Sequence, residues 1–123
     1  MSSFFQQLSN SCSSMTDKQI VLTTAGSDAE AHRLARHLVE RQLAACVNII
    51  PHIASVYQWQ GKIEENREWL LLIKTRATLF AKVRDAIREL HSYDLPECIA
   101  VDIADGSAEY LKWIAESVVS DSS

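Results

Sequence analysis

The amino-acid sequence predicts an α+β domain of ferredoxin-like βαββαβ order, with a long β2-β3 hairpin and an extra C-terminal helix. Three observations carry this expectation. The stretch VYQWQGKIEENREWLLLIKT, from Val56 to Thr75, alternates apolar and polar residues, turns at Gly61-Lys62 and returns as an apolar arm, which is the pattern of a hairpin. Two helical patterns, each with one apolar stripe, stand before the hairpin and after it, both flanked by short extended runs. Crossovers in such an order are right-handed, so both helices fall on one face of an antiparallel sheet.

The elements follow in order. KQIVLTTA, Lys18 to Ala25, is a short apolar run ending at a glycine and reads as a buried first strand. SDAE, Ser27 to Glu30, is a capping box in which the Ser27 hydroxyl takes the Glu30 amide and the Glu30 carboxylate reaches back. In the helix that follows, Ala31, Leu34, Ala35, Leu38 and Val39 face inward, with Arg33, Arg36, Glu40 and Arg41 outward. AACVNIIP, Ala44 to Pro51, is a second strand stopped or bulged where Pro51 removes a ladder donor. Thr78 caps a second helix whose face is Phe80, Val83, Ile87 and Leu90, and HSYDLPE, His91 to Glu97, ends it because Pro96 biases Leu95 away from helix. CIAVDIA, Cys98 to Ala104, is a strand with unlike faces. Gly106 and Ser107 open the last helix, striped by Leu111, Ile114, Ala115 and Val118.

Length and composition bound the possibilities. At 123 residues, with 47% hydrophobic and 23% charged, the chain holds one core, expected over residues 17–120, with residues 1–16 a disordered serine-rich tail. A net charge of −4 argues against nucleic acid and anionic membrane surfaces as partners, and no apolar run is long enough to span a bilayer. Cys12, Cys46 and Cys98 are odd in number and form no CxxC, which suits free thiols in a reducing compartment such as the cytoplasm. Cys46 and Cys98 read as small buried hydrophobes.

The hairpin raises the question of what covers it. Its arms reach ~30 to 35 Å at ~3.3 Å per residue, whereas a second helix over Thr78–Leu90 spans ~20 Å. Tyr57 and Trp59 lie two apart on one face, and Trp69 approaches from the returning arm. Each could bury ~150 to 250 Å², so a partner chain is the expected cover. A hairpin bent over its own sheet is the plainer arrangement. Glu64, Glu65, Asn66, Arg67 and Glu68 read as a solvated tip or rim.

AACVNIIP, SVYQWQGKIEE, LLLIKT, HSYDLPE and YLKWI, in this order, resemble the CutA family of divalent-cation tolerance proteins, from about Ile20 to Val118. The resemblance implies a homotrimer whose hairpins extend sheets across subunit boundaries, with Tyr57, Trp59 and Trp69 in the interface. It also implies an association with copper or another divalent cation. The metal-associated positions of the family, a Cys in the first strand and a His-His pair ending helix two, read here as Thr23 and Leu90-His91. His91 is the one surviving imidazole and the candidate metal ligand. No cofactor is required.

A second candidate is a ligand cleft between subunits, formed by Lys74, Tyr93 and Glu97 with Trp59 of a neighbour, suited to a small effector. A structural salt bridge fixing the loop is the plainer reading of the same residues. His32 and His37, five apart, present no shared ligand face, and His52 has no evident partner. Nothing resembles GxSxG, HExxH or a phosphate-cradling glycine loop, so no enzyme is expected. The leading function is therefore a metal-response protein. The alternatives are a signalling trimer resembling the nitrogen-regulatory PII proteins and, more remotely, an RNA-recognition motif, which lacks its stacking pattern here.

Overall fold

The computed structural model describes residues 16–120. The N-terminal tail, with Cys12, lies outside the described residues apart from Thr16. A single four-stranded antiparallel sheet runs in the order β2-β3-β1-β4, built from β1 (Lys18–Ala25), β2 (Cys46–Trp59), β3 (Lys62–Arg76) and β4 (Ile99–Asp102). Helix α1 (Asp28–Glu40) connects β1 to β2. Helix α2 (Phe80–Leu90) connects β3 to β4, and α3 (Ala108–Ser117) ends the described chain.

Alternation decides which residues meet. Val21, Thr23 and Ala25 of β1 oppose Ile73, Leu71 and Trp69 of β3, and this face buries against Leu34 and Leu38 of α1 and Val83 and Ile87 of α2. Val39 is the exception to the expected stripe and stands exposed. On the other face α3 packs near β3 and β1, with Ile114 fully buried, while Ile50, Ile99, Val101, Tyr110 and Trp113 remain open.

Ser27 Oγ accepts the Glu30 amide at 3.1 Å as the capping box requires, but the Glu30 carboxylate passes beyond the cap residue to the Gly26 amide at 3.3 Å. Thr78 does not cap the second helix. Ala77–Leu79 form a 3₁₀ turn instead, and α2 starts at Phe80 with no side-chain cap bond. Pro51 does not stop β2. It sits in a bulge where Pro51 and His52 together oppose Trp69, and His52 takes a left-handed φ of 58°. The hairpin turns at Gln60-Gly61, one residue before the expected position, both with positive φ. Beyond Trp69, residues 62–68 of β3 pair with β2 alone, so the hairpin overhangs the sheet by ~20 Å.

Candidate functional site

The site is built by the loop between α2 and β4 folding back over the end of β1 and the root of the hairpin. It begins at His91, whose amide still bonds Ile87 O at 2.9 Å while its backbone has turned extended. The His91 side chain is wholly buried, with Nε2 at 2.6 Å from Thr24 O and Nδ1 accepting the Tyr93 amide at 3.0 Å. These contacts assign the neutral tautomer with the proton on Nε2, donated to the carbonyl. Glu30 closes the network from α1. Its Oε2 accepts the Ser92 amide at 2.8 Å. Burial alone would raise the Glu30 pKa, but the hydrogen bonds from Ser92 and Gly26 outweigh it and hold it below the ordinary value.

Tyr93 then points across β1 to the hairpin. Its ring lies 4.6 Å from that of His91, and its hydroxyl donates to Glu68 Oε2 at 2.8 Å. Burial, then the bond to Glu68 and its charge, push the phenol far above its usual range. Gly26 is needed beneath it, because a Cβ there would meet the Tyr93 hydroxyl at 2.9 Å. Glu68 is 7% exposed, although the run around it reads as a solvated tip. Its parity on β3 is that of Leu70 and Leu72 rather than of Trp69, and that register was the signal available in the sequence.

Between this loop and the hairpin lies a cleft of about 640 Å³. Tyr57, Trp59, Glu68, Tyr93, Asp94 and Glu97 are its chemically telling walls, with Ser55, Asn66 and Leu95 between them. Tyr57 and Trp59 share a face with Asn66 and Glu68, as the pairs Ser55–Asn66 and Ile53–Glu68 require, and Asn66 donates to the Tyr57 hydroxyl. Burial and then the Glu68 charge raise the Glu97 pKa. No Lys, Arg or His is among the lining residues, so the cleft is acidic.

Three of the four expected cleft residues, Trp59, Tyr93 and Glu97, are thus brought together within one chain. Lys74 is not. It lies six residues along β3 from Glu68, ~20 Å away, and donates to Asn48 Oδ1. Trp69 does not share a surface with Tyr57 and Trp59. It faces the helices and packs against the core of its own chain, and its ring lies 5.1 Å from that of His52, tilted by 52°. His91 presents no open lone pair, since both ring nitrogens are engaged. Among the described residues no group of three His, Cys, Asp or Glu is placed to hold a metal. The oxygen-only donors of the cleft fit a hard ion better than copper, which favours imidazole and thiolate. A resident copper centre therefore does not fit this chain's cleft. Thr23, standing where a thiolate would be wanted, is buried with its hydroxyl unpaired.

A family model described as CutA1 divalent ion tolerance protein matches residues 19–117. The chain is 45% identical over 100 residues to the divalent-cation tolerance protein CutA of Thermus thermophilus, covering 81% of this chain and 97% of that one. It is 44% identical over 106 residues to a chloroplastic protein CutA of Arabidopsis thaliana, covering 85% of this chain but only 58% of that longer one. Among solved structures, one titled as the periplasmic divalent cation tolerance protein CutA of Archaeoglobus fulgidus superposes with a TM-score of 0.81 at 45% identity, covering 83% and 99% of the two chains.

Proposed function

The chain belongs to the CutA1 divalent ion tolerance family, and from that premise we propose that it is a non-enzymatic, homotrimeric cation-tolerance protein that takes its ligand in the acidic cleft. The observation that carries the reading is the cleft itself, whose walls include Glu68, Asp94 and Glu97 and no cationic side chain to neutralise them. A cation is the species that such a wall attracts. Among divalent ions the oxygen donors favour a hard one over copper. Phosphate-bearing effectors of a PII-like signalling trimer would meet carboxylates here and no Lys or Arg, so that alternative is not carried further.

Association into a trimer is supported by the open apolar residues. Val56, Trp59, Ile63, Ile99 and Val101 are each about half or more exposed, on the overhanging hairpin and on the edge strand β4. Apolar residues grouped on an overhanging hairpin and on a sheet edge are of the kind that mark an interface. The cytoplasm remains the proposed compartment, supported by the half-buried free thiols of Cys46 and Cys98. No helix among the described residues is long and apolar enough to cross a membrane.

Calorimetric titration with Mn²⁺ and with Cu²⁺ tests the reading. The expected result is Mn²⁺ heat that disappears in a Glu68→Gln/Glu97→Gln variant. Equal heat in wild type and variant would contradict it.

A further inference from the structure

We propose that residues 92–98, the segment between α2 and β4, form a strap that unclasps from the body as one unit, so that the cleft exists only while the strap is closed. The inference rests on the cleft of the proposed function and goes beyond it by naming what governs that site's presence. The ladder to β1 begins only at Ile99, and among the described residues no backbone-to-backbone hydrogen bond ties residues 92–98 to the rest of the chain. Side chains hold them instead. Glu30 of α1 accepts the Ser92 amide at 2.8 Å, His91 Nδ1 accepts the Tyr93 amide at 3.0 Å, and Glu68 of the hairpin accepts the Tyr93 hydroxyl at 2.8 Å. A segment fixed by so few bonds opens at a lower free energy than a sheet whose backbone is paired throughout.

Burial points the same way. Both ends are anchored, since the His91 side chain is wholly buried against Thr24 O and Cys98 packs on the core. Between them Ser92, Asp94, Leu95 and Glu97 are exposed, Leu95 by 76%, so opening uncovers little apolar area. Tyr93 is half-buried, seated over Gly26 with its hydroxyl on Glu68. Because Ser92 and Tyr93 are adjacent, the bonds to Glu30 and Glu68 part together. Tyr93, Asp94, Leu95 and Glu97 are all walls of the cleft, so lifting the strap removes one side of it. Neither clasp uses the Tyr57 and Trp59 faces that other copies are proposed to cover.

The test is native-state amide hydrogen exchange of the full chain, followed by NMR in guanidinium below the unfolding transition. The Ser92 and Tyr93 amides are expected to share one opening equilibrium that is nearly flat in denaturant, while protection of the β1–β3 ladder amides falls steeply. Tyr93→Phe leaves both amide bonds in place and removes only that of the hydroxyl. A unit that opens together should then exchange ~10- to 150-fold faster at both amides. The Gly26 amide, bonded to the same Glu30 at 3.3 Å but on the body, should not follow them. The same denaturant dependence at strap and ladder amides would overturn the proposal, as would acceleration at one strap amide without the other. So would exchange that slows as protein concentration rises, because a neighbouring copy would then hold the strap. The wild-type denaturant series decides the matter even if the variant fails to fold. Carboxylate-dependent Mn²⁺ heat without strap opening removes this inference and leaves the cleft reading; strap opening without that heat does the reverse.

Discussion

Replacing Tyr93 by phenylalanine takes away one oxygen and leaves Glu68 buried with no hydrogen bond from the described residues. The ring keeps its place against His91, and the only groups that lose a partner are the hydroxyl and the carboxylate. A hydrogen bond to a charged group contributes ~1.5 to 3 kcal/mol, and the stranded carboxylate supplies most of that. The expected loss is therefore ~1.5 to 3 kcal/mol, a lowering of Tm by roughly 6 to 12 °C for a domain of this size. Tm values are compared at equal protein concentration, since association adds to stability by mass action. Guanidinium denaturation should move the midpoint without changing the slope. A double-mutant cycle with Glu68→Gln isolates the pair: Tyr93→Phe should cost far less once position 68 is uncharged, giving a coupling of ~1 kcal/mol or more. Additive losses, with coupling near zero, would refute the claim that this bond holds the loop to the hairpin.

Other expectations concern the groups around that bond. Glu97 binds its proton more tightly folded than unfolded, so its contribution is complete below the ordinary value of 4.5 and is lost as pH rises through the raised value. Glu97→Gln should therefore raise Tm at pH 7 and give no gain in acid, as scanning calorimetry at both values will show. Glu30 behaves oppositely, its contribution being present above 4.5 and lost as pH falls through its lowered value. Glu30→Ala leaves the Gly26 and Ser92 amides without their acceptor and should cost ~2 to 5 kcal/mol at pH 7, less in acid, by chemical denaturation. Thr23→Val replaces a buried, unpaired hydroxyl in the core and should stabilise by ~1 kcal/mol; a loss in thermal melting would mean that the hydroxyl has a partner.

Much of the fold was legible because local signals agreed with one another. β1 occupies Lys18–Ala25 as read, and Ser107 caps α3 by accepting the Tyr110 amide at 3.2 Å. Leu34, Leu38, Val83 and Ile87 are buried as their periodicity requires. The site was legible only in part. Tyr93 and Glu97 were found through the irregular HSYDLPE loop, and Trp59 through the unpartnered hairpin. Glu68 and Glu30 were missed in their roles because charge patterning assigns carboxylates to solvent, and only the loop's tertiary path buries them. Lys74 was misplaced for a related reason. Sequence proximity to a strand end does not show which end of the sheet the loop crosses, and the register sets Lys74 beside Cys46 and Ile20 instead.

On the proposed reading, other copies of the chain cover the overhanging hairpin and the open face of β4. Light scattering coupled to size exclusion measures this at micromolar concentration. The account predicts a particle of about three times the 13.8 kDa chain. A stable species at the mass of one chain, with Tyr57 and Trp59 still open to solvent, would contradict it.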